Sequence, residues 1–95
     1  MPNPKKLTET EITAGMAKLS GWSRKGDAIV KAFKFKAFQD GIRFVDRVAL
    51  AADRADHHPD IDIRYTTVTM SLSTHSAGGL TANDMTMAAE IDTLV

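Results

Sequence analysis

Cysteine is absent from this 95-residue chain. A disulfide framework, a thiolate nucleophile and a thiolate metal site are therefore excluded. An excess of one charge is also missing: 12 Lys and Arg stand against 12 Asp and Glu, for a formal net charge of +0. Without a basic excess, nothing is available to hold a run of nucleic acid phosphates, and direct nucleic acid binding is not expected. No apolar run is long enough to span a membrane, so no membrane role is expected either. The opening Met1-Pro2-Asn3-Pro4-Lys5-Lys6 has two lysines but no apolar stretch behind them, which argues against a secretory signal and for a cytoplasmic protein. Repeats, low-complexity tracts and linkers are lacking, and no motif has the spacing of a metal site.

What is present is a globular composition, with 43% hydrophobic and 25% charged residues, enough for a single domain over residues 1–95. Thr8 and Glu11 have the spacing of a capping box, and Leu7 and Ile12 that of a hydrophobic staple. Ile12, Met16 and Leu19 then recur at helical spacing until Gly21 stops the helix. Residues 22–24 and 28–36 flank Lys25-Gly26-Asp27 and read as a hairpin, with Ile29, Phe33 and Phe35 alternating with lysines. From Phe38 to Asp56 the period returns to helical. Phe38, Ile42, Val45, Ala49 and Ala52 form one stripe, with Phe44, Val48 and Ala51 beside it. Packing on a single sheet needs only the narrower stripe, so the surplus predicts cover by another subunit.

Ile61, Ile63 and Tyr65 alternate with Asp62 and Arg64, and Val68, Met70 and Leu72 alternate with Thr69, Ser71 and Ser73. These read as two half-buried strands joined by a tight turn, with Tyr65 packed in the core beside Ile61 and Ile63. Thr81 with Asp84 repeats the capping box, Leu80 with Met85 repeats the staple, and Met87, Ala88, Ile91, Leu94 and Val95 supply a buried stripe. The order helix, two strands, helix, two strands, helix predicts an α+β fold. Its four-stranded antiparallel sheet carries helices on one face and leaves the other bare.

All three histidines fall between residues 57 and 75. Imidazole exchanges protons near neutrality, so this window is the candidate for proton chemistry. Pro59 disfavours helical geometry at His58 and places the His57-His58 pair at or just past the helix end. Asp53, four residues before His57, is expected to share its face and fix its tautomer and orientation. His75 follows the fourth strand, on the polar side by strand parity. The position of Asp84 in a capping box explains it better than direct catalysis does.

The spacing Asp53, His57-His58-Pro59, Tyr65, His75 and Asp84 resembles the signature of the pterin-4a-carbinolamine dehydratases, as do Ser73-Thr74-His75, Gly79-Leu80-Thr81 and Trp22. The resemblance implies a hydro-lyase that eliminates water from 4a-hydroxytetrahydrobiopterin to give the quinonoid dihydropterin. This reaction recycles tetrahydrobiopterin beside an aromatic amino acid hydroxylase. It further implies histidine acid/base catalysis with no metal and no organic cofactor. His57, His58 and His75 are then catalytic, with the division between acid and base left open. Asp56, Ser73, Thr74 and Ser76 bind substrate, and Asp53, Pro59 and Asp84 support them. Family habit agrees with the helix stripe in implying a homodimer or homotetramer. Two rivals stand beside this reading: a three-histidine metal site, disfavoured because adjacent histidines point apart, and a non-catalytic dimerisation or binding module of the same fold that acts as a protein cofactor.

Overall fold

The computed structural model describes residues 5–95; the first four residues of the stretch read as free of a secretory signal lie outside them. The elements follow the expected order: α1 (Glu9–Ala17), β1 (Ser23–Lys25), β2 (Ala28–Lys34), α2 (Phe38–Ala55), β3 (Asp60–Arg64), β4 (Thr67–Leu72), a 3-10 turn (His75–Ala77) and α3 (Ala82–Thr93). All strand pairs are antiparallel, in the spatial order β1-β2-β4-β3. The hairpin joining β1 to β2 closes through Gly26, whose φ of 60° a residue with a Cβ seldom adopts.

Both capping boxes form. Thr8 Oγ1 accepts from the Glu11 N–H while Glu11 accepts from the Thr8 N–H, at 3.2 and 2.9 Å. Asp84 in turn accepts from the Thr81 N–H at 2.9 Å. The N–H of Leu7 donates to the carbonyl of Leu80 at 2.8 Å, so the segments leading into α1 and α3 are tied together. Helix α1 ends sooner than Gly21 suggests: the N–H groups of Lys18 and Leu19 reach back only three residues, and the chain leaves the helix there.

Strand alternation sends Val68, Met70 and Leu72 of β4 into the core with Ile29 and Phe33 of β2, while Thr67, Thr69 and Ser71 face the bare side. Helices α2 and α3 cover the apolar face through Phe44, Val48, Met87 and Ile91. Phe44 sits between Phe33 and Phe35, with ring centroids at 4.8 and 5.3 Å. Gly41 lets α2 lie close to β4, since a Cβ there would meet Val68 Cγ2 at 3.2 Å. Trp22 is buried and its indole N–H donates to Asp92, which also pairs with Lys31 at 2.8 Å.

Strand β3 departs from expectation. The alternation of Ile61, Ile63 and Tyr65 suggests a half-buried strand, but every residue of β3 is exposed, with Ile61 at 37% and Ile63 at 42%. The cause is position: β3 is the outer strand beyond β4, and its apolar side chains extend past the helix layer. Tyr65 is not a core residue either. It lies in the β3–β4 turn with φ 52° and is 75% exposed. The apolar stripe of α2 is covered only in part, with Phe38 exposed and Ile42 and Val45 half-buried.

Candidate active site

The end of α2 places the histidine pair. Asp56 takes a left-handed conformation (φ 49°, ψ 44°), and the His57 N–H closes back on the Ala52 carbonyl at 3.1 Å, five residues earlier. This turn takes His57 out of helical register and breaks the expected pairing with Asp53. The imidazole of His57 meets Asp84 instead, Nε2 to Oδ1 at 2.6 Å. Asp53 pairs with His58, at 2.8 Å and in solvent. The residue expected to orient His57 therefore orients its neighbour.

Asp84 is fully buried and each of its oxygens is engaged. Oδ2 accepts from the Thr74 hydroxyl at 2.8 Å and from the Thr81 N–H at 2.9 Å; Oδ1 faces His57. The hydroxyls of Thr74 and Thr81 lie 2.8 Å apart, and the Thr81 hydroxyl oxygen accepts from the Asn83 N–H. Thr74 has one hydroxyl proton, which goes to Asp84, so Thr81 must donate to Thr74. The order of donors runs from Thr81 through Thr74 to Oδ2 of Asp84. A carboxylate so placed accepts from the Nε2–H of His57, which in the neutral ring leaves Nδ1 as the lone-pair nitrogen. The Asp84 side chain thus both starts α3 and contacts a catalytic candidate.

The same network ties the second segment to the first. Thr74, bonded to Asp84, immediately precedes His75, and its backbone pairs with Gly79 across the 3-10 turn. His57 and the backbone beside His75 are therefore linked through one carboxylate. His75 and Ser76 are exposed on that turn, as strand parity suggests for His75. The Ser73 hydroxyl donates to the Asp27 carbonyl at 2.7 Å, which fastens the loop to the β1–β2 hairpin. Asp56 and His58 are exposed, and Pro59 is half-buried as the chain enters β3. Thr74, expected to touch substrate, has its hydroxyl occupied inside the protein. Thr81, which the sequence offers as a cap and within Gly79-Leu80-Thr81, also joins the hydrogen-bond network around Asp84. Among the described residues, no group of three or more His, Cys, Asp or Glu side chains is arranged to hold a metal ion. None of the described helices is long and apolar enough to cross a membrane.

The comparisons agree with one another. Residues 5–94 match the family model described as pterin 4 alpha carbinolamine dehydratase. A protein of Mycobacteroides abscessus that carries this family's name is 53% identical over 94% of this chain and 95% of its own length. One from Roseiflexus castenholzii is 49% identical over 94% and 96%. A crystal structure of a Brucella melitensis protein, described as a transcriptional coactivator/pterin dehydratase, superposes with a TM-score of 0.91 at 36% identity, covering 95% of this chain and 98% of that one. The chain belongs to the pterin 4 alpha carbinolamine dehydratase family of hydro-lyases.

Proposed function

We propose that the protein dehydrates 4a-hydroxytetrahydrobiopterin through its histidines, in the recycling of tetrahydrobiopterin beside an aromatic amino acid hydroxylase. In this reaction the C4a–O bond breaks, a C4a–N5 double bond forms, and the N5 proton is lost as water leaves. One proton goes to the departing oxygen and one comes from the ring nitrogen, a task suited to imidazoles. The observation that carries the reading is the contact of half-buried His57 with buried Asp84, joined through Thr74 to the segment bearing His75. With Nε2 committed to Asp84, Nδ1 of His57 is the nitrogen left to take a proton. His58 and His75, both exposed, supply the remaining exchange, with Asp53 orienting His58. Asp56, Ser73 and Ser76 border the pterin, while Thr74 acts as a positioning residue through Asp84. The test is a stopped-flow assay in which a hydroxylase generates the carbinolamine. Added protein is expected to accelerate its decay, and an unchanged decay rate rejects the activity.

The working form we propose is a homodimer or homotetramer in the cytoplasm. Support comes from the unpaired outer edge of β3, exposed Ile61 and Ile63, and the half-covered stripe of α2. The absence of cysteine suits a reducing compartment. A second reading, a protein cofactor built on the same fold, draws on the Brucella protein, which is described as a coactivator as well as a dehydratase. Partner binding that survives loss of the histidines would favour it.

A further inference from the structure

Along the N-terminal half of α2, away from the histidines, lies a basin of about 400 Å3. Arg47, its residue nearest the histidine end of the helix, stands eight residues before Ala55, roughly 12 Å at 1.5 Å per residue. The walls are Lys34 at the end of β2, Lys36 just after it, and Arg43 and Arg47 on successive turns of α2. Phe35 lies between the lysines, Asp40 is the one acidic side chain, and Val95 closes one side. Four of the chain's 12 Lys and Arg gather here in a molecule whose net charge is +0. Like charges brought together repel, and a concave wall focuses their field on an incoming anion.

We propose that this basin binds a small phosphorylated molecule. Asp40 already pairs with Arg43 at 3.0 Å, and the carboxylate of Val95, the last residue, lies on the same wall, which leaves two of the four cationic charges in excess. That excess suits a doubly charged phosphate ester or diphosphate better than a single carboxylate, and guanidinium groups match phosphate oxygens in pairs. The Nε of Arg47 is anchored on the Leu94 carbonyl at 2.7 Å, so this guanidinium is held in place before a ligand arrives. Phe35, half-buried and 5.3 Å from Phe44, gives the basin a fixed apolar wall. The volume falls in the range of small-molecule pockets, about 300–1,000 Å3. The overall charge balance argues against an extended polyanion.

The basin is compatible with an oligomer. At 100° per residue, Asp40, Arg43 and Arg47 lie on one flank of α2, and Phe38, Ile42, Val45 and Ala49 on the other, about 160° away. A copy seated on the apolar stripe leaves the basic flank open.

The test is an NMR titration of the full chain with inorganic pyrophosphate at constant ionic strength, following backbone amides. Saturable shifts confined to residues 34–36, 40, 43 and 47 are expected, weakened at least tenfold in the double variant Lys36→Gln, Arg43→Gln. His57→Ala, remote from the basin, should bind as the unaltered chain does. Shifts that stay linear in pyrophosphate, that spread over the other lysines, or that persist unchanged in the double variant would overturn the proposal. Both replaced side chains are exposed, and an unchanged amide spectrum away from the basin verifies that the variant is folded.

Discussion

Asp84 answers to three neighbours with the two oxygens of one carboxylate, and replacing it with asparagine separates their demands. In Asp84→Asn the amide oxygen can still accept from Thr81 and Thr74, which turns the NH2 group toward His57. Two donors cannot face each other, so His57 must present a lone pair at Nε2 and carry its proton on Nδ1. The expected result is a fold retained at a cost of about 1–3 kcal/mol and a dehydration rate lower by about 10²–10⁴-fold. Urea unfolding and stopped-flow turnover read the two effects separately, and an Asn variant with full turnover would remove the tautomer argument. His57→Ala and His75→Ala are likewise expected to cut turnover by about 10²-fold or more while leaving the fold intact. Asp53→Ala, at an exposed pair, should change stability by less than about 1 kcal/mol. Each of these residues is visible in the sequence, but their pairing is not. Helical periodicity assigns Asp53 to His57, and only the left-handed turn at Asp56 shows that the register breaks one residue too early for that contact.

Among the elements, the two N-terminal caps are legible because Thr and an acid three residues apart satisfy backbone donors by a rule that is local in sequence. In the α1 cap the Thr8 backbone N–H, followed by its side chain, holds the Glu11 carboxyl below its ordinary 4.5. Beside it, the hydrogen bond from Arg24, followed by its charge, does the same for Glu9. Both carboxyls are lower in the folded chain, so their contribution is complete above the unfolded value and disappears as pH falls through the folded one. Amide exchange protection in α1 is therefore expected to weaken below about pH 4.5 and to hold above it. Because both groups are in solvent, the loss should be small and reduced further by salt. Protection that rises with acid would reverse the assigned sign. Strand β3 is the element least legible. Alternation tells which side chains share a face, whereas the burial of that face depends on where the strand sits in the sheet, and the outer position next to β4 is a long-range outcome.

At the scale of the whole molecule, the apolar surface left over by the fold sets the remaining expectation. Ile61 and Ile63 on β3, Tyr65 in its turn and Phe38 on α2 are all exposed. An open strand edge carrying isoleucines is an aggregation hazard unless a second chain covers it. The unaltered protein is expected to give a dimer or tetramer mass by light scattering, and Ile63→Lys to shift the distribution toward monomer. A mass that stays monomeric at every concentration would refute the oligomer. The surplus stripe on α2 signals this from the sequence, because a helix on one sheet has a fixed apolar requirement that can be checked by periodicity. The basic basin gives no such signal, since Lys34 and Arg47 come together only when β2, α2 and the end of α3 are folded side by side.

The contact from the Thr81 amide to Asp84 gives this protein an internal reporter. Its proton rests on one oxygen of a carboxylate whose other oxygen faces the imidazole. A change of charge on the His57 imidazole would therefore be felt at one backbone amide, at the threshold of the last helix.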